Sequence, residues 1–97
     1  MKLKMTKRRK QVQPQSGVEK AFGQAMRKAR KKQKLSQMDL HIATGLDRTF
    51  ISDLERGIQG PSLRTVFRVA KGLEIRAGAL VENTEKSPQF VFPADDR

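Results

Sequence analysis

Arg48, Thr49, Ser52, Asp53 and Arg56 are the residues whose types and spacing most plainly carry chemistry. Separations of three and four place them on one side of a helix. A guanidinium, two hydroxyls and a carboxylate make a mixed donor and acceptor set, which suits the base edges of a DNA major groove. Asp53 has two readings: it accepts from a cytosine amino group, or it is a solvated helix charge. The hydroxyls of Ser36, Thr49 and Ser52 also raise nucleophilic catalysis. That chemistry needs a general base within hydrogen-bond reach, and none sits at a motif spacing with them. No enzyme activity is expected. The chain has no cysteine, so disulfides and thiolate metal ligands are excluded. His41 is the single histidine, too little for a zinc or catalytic cluster, and no metal or cofactor is expected.

A ridge of this kind must be held by the elements around it. Ser36 followed by Asp39 is a helix-start signal, with Leu40 and Ala43 as an apolar edge and Gly45 as the stop. Asp47 caps the next helix, whose inner face is read as Ile51, Leu54 and Ile58. Leu40, Leu46, Ile51 and Leu54 then allow two short helices to pack steeply across a tight turn. Ahead of them, Ser16 and Glu19 form a capping-box pattern, and Val18, Phe22, Met26 and Ala29 recur at helical spacing to about Gln33. Beyond the punctuation of Gly57, Gly60 and Pro61, Ser62 caps a fourth helix with Leu63, Val66, Phe67, Ala70 and Leu73 inside. Glu74 to Val81 fits either a short helix or a short strand. The expected architecture is all-α, a compact bundle of four to five short helices. Its boundaries are a basic arm over residues 1–15, a folded domain over 16–81, and a polar tail over 82–97 that is a candidate for dimer contacts.

With 97 residues there is room for one domain. A folded part of roughly 60 residues buries only about 60% of the surface of its unfolded chain, so a partner subunit would help it. The net charge is +11. Residues 1–34 hold 13 Lys or Arg against one acid, Glu19, whereas the remainder holds 8 basic and 9 acidic residues. A one-sided basic block suits a polyanion. The first ten residues, with Lys7, Arg8 and Arg9 among them, read as a flexible arm that tracks phosphates or is merely a solvated tail. No apolar run approaches the roughly 18 residues of a membrane span, and Met1 to Lys10 is too charged for a secretory signal. A cytoplasmic location, bacterial or phage and nucleoid-associated, is expected, with no membrane contact.

The segments "FGQAMRKARKKQKLSQ", "GLDRTFISDLERG" and "PSLRTVFRVAKGL" together resemble the phage-repressor and Cro-like (Xre-type) helix-turn-helix domains. The resemblance spans roughly Phe22 to Val81. It rests on Ser36-Gln37, Gly45, Ile51, Leu54, Glu55-Arg56-Gly57 and Pro61-Ser62-Leu63 in combination. It implies a lambda-repressor-like fold of about five helices that binds double-stranded DNA and catalyses nothing. By the family's pattern, Arg48, Thr49 and Ser52 face bases, while Gln37 meets phosphate and buttresses a reader residue. Arg56 and Gln59, with Lys7, Arg8 and Arg9 of the arm, are the further phosphate candidates. Arg30 pairs with Glu55 as structural support by the same pattern. Two positions depart from it. His41 stands where a small alanine is usual, with Ile42 expected to turn inward in compensation, and Arg76 is a poor start for a fifth helix.

The function expected is a sequence-specific transcriptional regulator, a dimeric repressor on a palindromic operator. Val69 and Leu73, Ile75 to Val81 and Phe90 to Phe92 are the expected subunit contacts. The alternative is an antitoxin that binds its own promoter and a toxin protein, which Glu74 to Val81 would suit as a strand paired across a dimer. A single-strand or RNA binder is disfavoured, because there is no Trp or Tyr and the five Phe mostly fall at core spacing.

Overall fold

A computed structural model describes residues 17–91. The expected cap at Ser16, the basic arm and the last part of the tail lie outside those residues. Five helices follow one another: α1 (Gly17–Lys32), α2 (Gln37–Thr44), α3 (Arg48–Arg56), α4 (Leu63–Leu73) and α5 (Ala77–Lys86). Among the described residues there is no strand.

Local chemistry sets most of the helix starts. The Ser36 hydroxyl accepts from the Asp39 backbone N–H at 2.9 Å, and the Asp39 carboxylate accepts from the Ser36 N–H at 2.8 Å. These bonds, the backbone one foremost, hold the Asp39 carboxyl below its ordinary range. Asp47 and Ser62 cap α3 and α4 by accepting from Thr49 and Thr65. Arg76 makes no side-chain cap bond to α5, as its residue type implies. That helix is held instead by packing, through the buried Leu80 and Thr84.

One core holds the bundle. Phe22, Ala25 and Met26 of α1 meet Leu40 of α2, Ile51 and Leu54 of α3, Val66, Val69, Ala70 and Leu73 of α4, and Leu80 of α5. Four expectations change here. Ile58 is half exposed, because α3 ends at Gly57 and the chain turns away before Ile58 can reach the interior. On α4 the buried stripe is Val66, Val69, Ala70 and Leu73. Leu63 and Phe67 face outward at 70% and 58% exposure. Val69 and Leu73 are fully buried in the subunit's own core and so are not available to a partner. Glu74 to Val81 resolves into a left-handed turn at Glu74 and the first part of α5, which runs on through Lys86 and past the expected boundary at Val81.

Ile42, expected to turn inward, is 73% exposed. The close approach of α2 comes from α4 instead. A side chain at Gly72 would collide with the Thr44 methyl and crowd Leu40. Hydrogen in place of a side chain is what lets the two helices meet there.

Candidate nucleic-acid interface

The turn before α3 is braced from both sides. The backbone N–H of Gly45 donates to the His41 carbonyl at 2.8 Å, with Gly45 as the left-handed C-cap of α2. The His41 ring nitrogen Nδ1 lies 2.6 Å from the Leu46 carbonyl oxygen, so this nitrogen carries the proton. Thr44 Oγ1 donates to the Leu40 carbonyl and accepts from the Leu46 N–H at 3.1 Å. His41 is therefore a brace rather than a misfit. Its departure from the small residue usual there is what flagged it in the sequence.

Ile51 and Leu54 anchor α3 from beneath with no exposure. Its outer side presents Arg48 and Thr49, both exposed, then Ser52 and Asp53, half-buried, and Arg56. These are the residues whose spacing predicted a common side, and the structure brings them together. Asp53 has acquired partners. Its carboxylate accepts from Arg56 at 3.0 Å and from Gln59 Nε2 at 3.4 Å, while its carbonyl takes the Ile58 N–H at 3.0 Å. Asp53 is thus not a lone solvated charge. An exposed pair such as Asp53–Arg56 contributes about 0–1 kcal/mol, so Arg56 is easily drawn to a stronger anion.

Behind α3 lies the pairing that the resemblance implied. Arg30 donates from Nε to one Glu55 oxygen at 2.7 Å and from a terminal nitrogen to the other at 2.9 Å. Its second terminal nitrogen donates to the Leu35 carbonyl at 2.8 Å. The two side chains are 9% and 3% exposed. The hydrogen bond to Glu55, stronger here than the opposing effect of burial, raises the Arg30 pKa above its ordinary value. Gln37 Nε2 adds a third donor to Glu55 at 3.0 Å. Helices α1, α2 and α3 thus converge on one carboxylate. The Gln37 amide carries two hydrogens, and one remains for another acceptor. Its buttressing is of Glu55, not of a residue on the outer side of α3. Lys7, Arg8 and Arg9 lie outside the described residues.

What the sequence did not isolate is the neighbourhood of Arg56 on α1. Lys20, Gln24 and Arg27 line a shallow depression with Glu55 and Arg56 of α3 and with Gln89. The sequence signal was their seven-residue spacing on α1, which places Lys20 and Arg27 on one side of that helix. Among the described residues no group of His, Cys, Asp and Glu is arranged to hold a metal, and no helix is long and apolar enough to cross a membrane.

A helix-turn-helix family model matches residues 26–80. The chain is 38% identical over 64 residues to the control protein C.BamHI of Bacillus amyloliquefaciens, covering 65% of this chain and 79% of that one. It is 39% identical over 59 residues to the immunity repressor protein of Bacillus phage phi105, covering 61% of this chain and 41% of the repressor. The chain therefore spans less than half the length of that repressor. The restriction-modification controller protein C.Esp1396I, solved as a tetramer in complex with its natural 35 base-pair operator, matches with a TM-score of 0.69 at 28% identity. That match covers 74% of this chain and 95% of the controller.

Proposed function

We propose that this chain, which belongs to the helix-turn-helix family of phage-repressor and Cro-like type, is a transcriptional regulator that binds double-stranded DNA by sequence. It acts as a dimer, as a repressor on a two-fold operator in the cytoplasm. The observation that carries this function is the exposed side of α3 set on a rigid base. Arg48, Thr49 and Ser52 point away from the core, while Glu55 ties the same helix to Arg30 and Gln37. Arg48, at the helix start, reads a guanine through its O6 and N7 acceptors, and Thr49 and Ser52 make smaller contacts. Gln37, Arg56 and Gln59 meet phosphates, joined by Lys7, Arg8 and Arg9. Asp53 orients Arg56 and Gln59. Such a binding role needs no catalytic group or cofactor.

The test is a titration of Arg48→Ala against a selected operator and its single-base variants. The fold should be unchanged, since Arg48 is exposed. Binding should weaken by about 1–3 kcal/mol, with preference relaxed at one base pair. Gln37→Ala should weaken binding to all sequences alike, because a phosphate contact positions without reading. If Arg48→Ala binds every variant as the parent does, α3 is not the reading element.

Of the expected dimer contacts, Val81 stays exposed while Val69 and Leu73 do not. With Val69 and Leu73 buried, the large apolar side chains that α4 and α5 leave exposed are Leu63, Phe67 and Val81. A two-fold partner covering them would set two α3 helices about 10 bp apart, centre to centre. Phe67→Asp should then yield a folded monomer in sedimentation at micromolar concentration, with operator affinity reduced. A dimer persisting in that variant would place the contact elsewhere. The antitoxin alternative loses its structural ground, since Glu74 to Val81 supplies no strand to pair across a dimer.

A further inference from the structure

Of the α1 cations only Arg30 has a role so far, in the pair with Glu55, although much of the positive excess sits on that helix. Lys20, Arg27 and Lys31 recur at intervals of seven and four, which puts them on one stripe of that helix. All three are exposed. None takes part in the ion pairs found among the described residues, which are Arg30–Glu55, Arg56–Asp53 and Lys86–Glu82.

The stripe adjoins α3. Lys20 and Arg27 share a depression with Arg56, and a Cβ at Gly57 would meet the Lys20 stem at 2.7 Å, so that stem lies against the end of α3. The acid in the depression is Glu55, already bonded to Arg30 and Gln37 and 3% exposed. Its charge is neutralised inside the protein and Arg56 is held by Asp53, which leaves Lys20 and Arg27 with no further acid lining the depression. Like charges within a Debye length of about 8 Å repel one another unless an anion lies across them. From Lys20 to Lys31 the stripe runs about 16 Å along the helix. Measured along a duplex axis, where each strand carries one phosphate per about 3.4 Å, that length spans roughly five phosphates.

We propose that the α1 stripe of Lys20, Arg27 and Lys31, continuous with Arg56, is a second anchor for the DNA phosphate backbone, outside the groove that α3 enters. The strand leaving the major groove passes from Arg56 onto Arg27 and Lys31. This anchor rests on the proposed DNA binding and adds to it a surface that carries affinity without base preference. Helix α1 also provides its own control. Lys28 and Lys32 line the cleft between α1 and α5, away from α3.

The experiment compares the full chain with Arg27→Gln/Lys31→Gln and with Lys28→Gln/Lys32→Gln, which remove the same charge from the same helix. Affinity is measured across a salt series on a duplex carrying the selected operator with flanking sequence, and on a random duplex. Two lost phosphate contacts should flatten the slope of log affinity against log salt by about 1.8 on both duplexes. The ratio between the duplexes should stay unchanged, and the Lys28/Lys32 variant should keep the parent slope. An equal loss in both variants would reduce the effect to net charge, and no loss in either would leave the stripe without a phosphate partner. Both outcomes overturn the anchor. A parent chain that prefers no sequence would sink sequence-specific regulation, while the slopes on random duplex would still decide the anchor.

Discussion

Glu55→Ala is expected to lower the melting temperature by roughly 12 °C or more, the largest effect of any change to a side chain near the interface. The cause is the residue left behind. Arg30 has its guanidinium on two Glu55 oxygens and the Leu35 carbonyl, with only 9% of the side chain exposed. Removing the carboxylate leaves a buried cation with a single neutral acceptor, and breaking one side of such a pair costs about 3–5 kcal/mol. Against a typical net stability of about 5–15 kcal/mol, with a domain this small at the low end, that is most of the margin. Gln37 loses its partner as well. DNA affinity measured well below the melting point should therefore fall too, because the start of α2 is no longer tied to α3. A double-mutant cycle with Arg30→Ala isolates the coupling. Additive losses, or a change within about 0.5 kcal/mol for Glu55→Ala alone, would mean that the pair exchanges with water at little cost.

The second large effect is expected at Gly23, where the helices rather than their side chains touch. A Cβ there would lie inside van der Waals distance of the Leu54 and Glu55 carbonyl oxygens. Those atoms belong to the backbone of α3 and cannot rotate aside. Alanine would gain about 1 kcal/mol in helix propensity over glycine, while overpacking costs about 1–3 kcal/mol. With main chain on the other side of the contact, the second effect prevails. Gly23→Ala should destabilise modestly, and Gly23→Val, with two further methyl groups, should do so at or above the upper end of that range. Both push α3 away from α1, so base preference should broaden even where the fold survives. Thermal melting of the two variants checks this, and a stabilised Gly23→Ala would show that α3 shifts freely.

The starts of α2, α3 and α4 were legible because each depends on residues two or three positions apart, as in Ser36 with Asp39. The buried side of α4 was less so. Leu63 and Phe67 fall at helical spacing with Val66, Ala70 and Leu73, so periodicity alone admits them. Only the position of the neighbouring helices turns Phe67 outward and Val69 inward. Helix α5 was ambiguous because Arg76 supplies no cap and Gly78 favours neither helix nor strand. Its helicity follows from tertiary packing of Leu80. Arg30 and Glu55 are 25 positions apart, and a charge pair at that separation has no local signature, so family resemblance was the one route to it. On α1 the charge excess was plain from composition. Which cations stand beside Arg56 depends on how α1 lies against α3.

Gly17 has a further consequence in the shape of the chain as a polymer. A Cβ on it would collide with the backbone at Gln89 and Val91, and Ser87 Oγ donates to Gln24 Oε1 at 2.7 Å, so the segment after α5 returns along the first turns of α1. Residues 17–91 thus nearly close on themselves, with Gln89 beside Arg56 at the end of α3. Joining residue 91 to residue 17 by a short link would move no helix, and it would confine the unfolded chain at little strain to the folded one. Gly17 and Val91 meet at one corner, and Gln89 beside them lines the depression with Lys20, Arg27 and Arg56. A fusion partner placed there competes for space with whatever lies across α3.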